Sequence, residues 1–148
     1  MTVLLIDADS LAYRIAANPN VKSLQGQQQI LDETVEIIAD KTKATDAVFL
    51  LTGKGNFRKD IPVPKLHKDG SFEVVQYKGN RKGIVPPDTL SDLRQYLQET
   101  YTDTMVFDII EADDAISYSM YLLNGLWQLS KVVVVAIDKD LLQIPGKH

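Results

Sequence analysis

Cysteine is absent from the chain, which removes disulfide frameworks, thiolate zinc sites and cysteine nucleophiles together. Histidine is almost absent: His67 and His148 are the two copies and lie far apart, which argues against a histidine-rich zinc site. Glycine and proline are sparse, with 8 and 6 copies in 148 residues, and 45% of residues are hydrophobic against 24% charged. Such a composition argues against disordered, collagen-like and low-complexity classes. Long hydrophobic runs are missing too. The longest, Val132 to Ile137, falls far short of the roughly 20 residues of a membrane span. The opening residues MTVLLIDADS have no basic stretch and set two carboxylates directly behind the apolar run, unlike a signal peptide. What remains is the expectation of one soluble, cytoplasmic α/β domain with a single core. Its chemistry must rest on carboxylates, hydroxyls, lysine and arginine.

The net charge of −4 argues against a polyanion partner, but the average hides an asymmetry. Between Gly53 and Lys82 stand eight basic residues (Lys54, Arg58, Lys59, Lys65, Lys68, Lys78, Arg81, Lys82) and three acids (Asp60, Asp69, Glu73), a local charge of +5. Half of the sixteen Lys and Arg thus occupy one fifth of the chain. Alone, such a window reads as a solvated lysine-rich loop.

Hydrophobic patterning predicts alternating strands and helices. Thr2 to Ile6, Ala47 to Leu51, Met105 to Ile110 and Lys131 to Ile137 read as strands buried on both faces, as in a parallel sheet. Helical spacing is expected from Ser10, over Gln27 to Lys43, from Pro86-Pro87-Asp88 through Leu97, and over Ala112 to Leu123 with Asn124-Gly125 closing it. A longer irregular stretch with Pro62 and Pro64 follows the second strand, and Phe72 to Tyr77 in it reads as a further strand. Alternation of this kind implies right-handed crossovers and helices on both faces. The Gly53 to Pro87 stretch is long for a connection, and such loops tend to be functional or mobile.

Three of the expected strands finish in acid: LLID with Asp7 and then Asp9, FDII with Glu111, Asp113 and Asp114, and VVVVAI with Asp138 and Asp140. Ligands of open parallel sheets bind outside the carboxyl ends of the strands, so these seven carboxylates converge on one edge. They cannot all stay ionised there without compensation. A divalent cation is the usual remedy, and all-oxygen ligands select Mg²⁺ or Mn²⁺ over zinc. Any single one of these aspartates reads equally well as a helix cap. Two ions about 4 Å apart can activate water and stabilise a leaving phosphodiester oxygen, with Lys and Arg holding the flanking phosphates.

The segments LLIDADSLAYR, FLLTGKGNFR, YKGNRKG, EADDAIS and VVVVAIDKDLLQIPG resemble, in order, the PIN-like nuclease domain of the 5′→3′ exonuclease and flap endonuclease family. That family includes the 5′-nuclease domain of bacterial DNA polymerase I and the phage exonucleases, and phage-type members look nearer. The resemblance spans Leu4 to Gly146. It implies a three-layer α/β/α fold and a divalent-metal-dependent nuclease acting on DNA with a 5′ end or flap, in a bacterial or phage-infected cell. By position it implies metal ligation, by Mg²⁺ or Mn²⁺ in two sites, at Asp7, Glu111, Asp113, Asp114, Asp138 and Asp140. It places Lys78 and Arg81 on the scissile phosphate, Lys82 beside them on the nucleic acid, and Arg58 on the DNA backbone. Tyr13, six residues after Asp7, matches an aromatic that stacks on the terminal base; a buried core tyrosine is the other reading. Asp9 has no fixed counterpart, and a helix N-cap or a supporting role both suit it. Thr52 stands where many members carry a further metal-site aspartate. Residues 1–148 are expected to form one domain, without the family's following helix-hairpin region.

Two rivals remain open at this level. LLIDADS partly resembles the nucleophile loop of haloacid-dehalogenase-like phosphatases, with Lys131 and Asp138/Asp140 as the distal partners. A nuclease-fold module that binds nucleic acid but cuts poorly is the other, motivated by Thr52 and the missing region.

Overall fold

The computed structural model describes residues 1–76, 83–126 and 131–148. Its elements run β1 (Val3–Asp7), α1 (Ala8–Ala16), α2 (Leu24–Thr42), β2 (Asp46–Thr52), β3 (Pro62–Leu66), β4 (Phe72–Gln76), α3 (Leu90–Thr100), β5 (Thr104–Phe107), α4 (Ala112–Leu126) and β6 (Val132–Val135). Four strands form one sheet in the order β5-β2-β1-β6, and every neighbouring pair is parallel.

A parallel sheet needs cover on both faces because its crossovers pack back onto it. Alternation along the strands assigns the sides. Leu4, Ile6, Phe49, Leu51 and Val133 pack with Leu11 and Ile15 of α1, Leu31 of α2, and Leu93 and Leu97 of α3. Leu5, Leu50, Val132 and Val134 face the opposite way, onto Ala115, Ile116 and Met120 of α4. Each such Leu or Ile, fully buried, contributes roughly 1.5–3 kcal/mol. The architecture is a three-layer α/β/α sandwich around a mainly parallel sheet.

Several boundaries depart from expectation. α1 begins at Ala8, because Asp7 caps it by accepting the Ser10 amide. β5 stops at Phe107, since Ile109 adopts φ 80°, a conformation that no strand contains and that β-branched residues rarely enter. α4 passes through Asn124-Gly125 and does not close there. Residues 62–66 are a strand and not irregular chain: β3 pairs antiparallel with β4, Pro62 opposite Gln76 and Pro64 opposite Val74. His67 donates its amide to Ser71, so odd-numbered positions of β3 point their N–H at the partner strand. The two prolines, at even positions, lack donors only on the outer edge. No helix among the described residues is long and apolar enough to cross a membrane.

The parallel arrangement brings the carboxyl ends of the strands to one edge. Asp7 ends β1, Thr52 ends the neighbouring β2, and Asp138 follows β6 on the other side.

Candidate active site

Asp7 lies deepest of the strand-end acids, buried to 5% exposure. Its carboxylate accepts the Ser10 amide at 3.2 Å and the Ser10 hydroxyl at 2.5 Å. Burial raises its pKa above the ordinary 3.8; the Ser10 bonds pull it down, while Asp9 and Asp113 add repulsion. A carboxyl raised in this way favours the fold only while protonated. Its contribution is full below pH 3.8 and is lost as pH rises through the folded-state value. Ionised Asp7 therefore destabilises the metal-free protein at neutral pH. Asp7→Asn, which keeps an N-cap acceptor, is expected to raise the melting temperature by a few degrees at pH 7 in chelator. The gain should vanish near pH 4, and thermal scans at the two pH values check it.

At the start of α4, three acids gather around one cation. Arg58 Nη1 lies 2.9 Å from Glu111 Oε2 and 3.7 Å from Asp113 Oδ2, and Nη2 bonds Asp114 Oδ1. Arg58 belongs to a short 3₁₀ helix, Phe57–Asp60, capped by Asn56. Asn56 accepts the Arg58 amide at 2.9 Å and donates to Glu111 Oε1 at 2.7 Å. Asp113 is raised by burial first and by Asp114 and Glu111 next, against the Asp114 amide and Arg58, which lower it. The placement on the DNA backbone expected of Arg58 is thus not what this structure displays; its head lies among the carboxylates.

Asp9 neither caps α1 nor faces a vacancy beside Thr52. Its carboxylate accepts the Thr52 amide at 2.7 Å and pairs with Arg94, which also donates to the Thr52 carbonyl. The Thr52 hydroxyl accepts the Ala112 amide at 3.0 Å, docking β2 against the first turn of α4. Where an aspartate was expected to add a ligand, a threonine and an Asp–Arg pair hold the strand end.

These walls enclose an open cleft of about 940 Å³. Asp7, Asp9, Glu111, Asp113 and Asp138 line it together with Tyr13, Arg14 and Ile84. Asp138 also caps a 3₁₀ helix, Lys139–Gln143, by accepting the Asp140 amide at 3.0 Å. Asp114 and Asp140 do not line the cleft. Tyr13 is 45% exposed, so the core-tyrosine reading fails. Arg14, a charged cleft residue that sequence reasoning missed, follows Tyr13 on α1, seven residues and two helical turns beyond Asp7. Lys78, Arg81 and Lys82 lie outside the described residues.

No protein-family model matches the sequence, and no curated protein matches it. Solved structures do. Bacteriophage T5 5′-exonuclease with bound zinc ions superposes at TM-score 0.66 and 19% identity, over 97% of this chain and 52% of that one. A T5 flap endonuclease complex with DNA and metal ions gives 0.64 and 19%, over 95% and 50%. The chain has the 5′-exonuclease/flap-endonuclease fold. It spans about half the length of the T5 chains.

Within the 5′-exonuclease-like fold the phosphatase reading loses its lysine. Lys131 directly precedes β6 and so stands at the end of the sheet opposite Asp7. A divalent metal suits the donor chemistry: the acids are all oxygen donors, and Asp114 Oδ2 is buried without a hydrogen-bond partner. Among the described residues no three such side chains are arranged to hold an ion. Three of them hold Arg58 instead.

Proposed function

We propose that this chain is a divalent-metal-dependent phosphodiesterase that cleaves DNA at or near a 5′ end. The observation that carries this reading is one cleft lined by Asp7, Glu111, Asp113 and Asp138, drawn from three strand ends, with Tyr13 exposed on its wall. The fold shared with T5 nucleases supports it. Asp7, Glu111, Asp113, Asp114, Asp138 and Asp140 would hold two ions of the Mg²⁺ or Mn²⁺ class, which supply Lewis acidity toward water and phosphate.

The chain's own residues do the rest. Tyr13 offers a ring face to a terminal base, a sequence-tolerant contact. Arg14, on the same helix, meets the adjoining phosphate. Lys78 and Arg81 stabilise charge developing on the scissile phosphate, and Lys82 grips the backbone. Ser10 orients Asp7 through its two hydrogen bonds.

The test is digestion of 5′-labelled single-stranded, duplex and flapped DNA with Mg²⁺ and with chelator. Metal-dependent release of short 5′ products is the expected result. Metal-dependent binding without any product would favour the binding-module reading, to which the engagement of Arg58 with the acids adds an observation beside Thr52.

A further inference from the structure

We infer that Arg58 is a built-in counter-ion that a divalent metal must displace from Glu111, Asp113 and Asp114. This rests on the proposed metal-binding role of those carboxylates and adds a control on it. One guanidinium reaches all three acids, through Glu111 Oε2 at 2.9 Å, Asp113 Oδ2 at 3.7 Å and Asp114 Oδ1. The contact is seated and not incidental. Asn56, buried to 8% exposure, fixes the Arg58 backbone with one end of its amide and Glu111 with the other.

Three carboxylates this close repel one another unless a cation lies among them. Arginine answers that need in the metal-free protein with its planar fork. A divalent ion needs the same oxygen lone pairs, and its two charges would stand beside a third. Ion and guanidinium are therefore alternatives. The apparent metal affinity is the intrinsic one reduced by the fraction of molecules in which Arg58 has swung out.

Calorimetric titration of the full 148-residue chain with MnCl₂ alone, without nucleic acid, tests the inference. Arg58→Met is expected to bind Mn²⁺ about tenfold tighter than the parent, with Arg58→Lys between them and Asp113→Asn weaker. In chelator Arg58→Met should melt below the parent and recover most of the difference on adding Mn²⁺. If Arg58→Met does not fold in chelator, the Arg58→Lys titration decides alone, and affinity equal to the parent's overturns the proposal. Unchanged or weaker binding by Arg58→Met, with Asp113→Asn still weakened, overturns it and leaves the metal site standing. No Mn²⁺ uptake by the parent, or uptake indifferent to Asp113→Asn, removes the carboxylate site and this inference with it.

Discussion

Asp113→Asn is expected to slow Mg²⁺-dependent cleavage on the order of a thousandfold while leaving the melting temperature in chelator unchanged or slightly raised. The two halves of that result have separate causes. Asp113 stands in the first turn of α4 and lines the cleft with Asp7 and Asp138. Under the proposed function a negative charge there helps to hold cations against a phosphate, so its removal falls on the reaction. Stability moves the other way because burial, then Asp114 and Glu111, raise the Asp113 carboxyl. Like Asp7, it favours the fold below pH 3.8, and that contribution is lost as pH rises through the folded value. Neutralising it relieves repulsion at pH 7. Asparagine also retains the oxygen that accepts the Asp114 amide at 2.8 Å. Its contact with Arg58 is long, 3.7 Å, between side chains 35% and 25% exposed, and such pairs contribute little. Cleavage of 5′-labelled DNA and a thermal melt on the same preparation read both halves. A variant that cuts as fast as the parent removes Asp113 from the site.

The four central strands are legible in the sequence because parallel strands, buried on both faces, are written as continuous apolar runs. The acids behind them are legible for the same reason, since the run ends where the sheet edge begins. The sheet order is not legible: nothing local distinguishes β1 as the inner strand beside both β2 and β6. β3 is hidden by Pro62 and Pro64, whose tolerance depends on which edge their missing donors face. The long-range partners are the largest gap. Asp9 meets Arg94 across 85 positions, and Arg58 meets Asp114 across 56. Periodicity reports on neighbours three and four residues apart, so neither meeting has a local signature. The resemblance places Arg58 on the DNA backbone, and nothing local in the sequence signals its contacts with Glu111, Asp113 and Asp114. Arg14 had a signal that went unused, its seven-residue spacing from Asp7 along one helix face.

Gly53→Ala should lower stability by about 1–3 kcal/mol and cleavage by roughly a hundredfold, although Gly53 is not among the proposed ligands. A Cβ at this position would overlap Asp108 Oδ1 and sit 3.0 Å from the Phe107 carbonyl and 3.1 Å from Val106 Cγ1. Asp108 has little freedom to yield, because the same oxygen accepts the Lys54 amide at 2.8 Å. That bond is one of a set. Gly53 donates to Phe107 at 2.7 Å, Ile109 donates to Lys54 at 2.9 Å, and Phe57 donates to Ile109 at 2.8 Å. Together they fasten the turn after β2 to the turn after β5, with Ile109 held at φ 80° between them. Asn56 and Arg58 hang from the first turn and Glu111 follows the second, so parting the turns displaces the acid cluster from both sides. Urea denaturation and initial cleavage rates measure the two losses. The double variant with Asp108→Ala supplies the control, since it removes the tightest contact. Partial recovery of both quantities is expected, and a double variant as impaired as Gly53→Ala alone would show that crowding against Asp108 is not the cause.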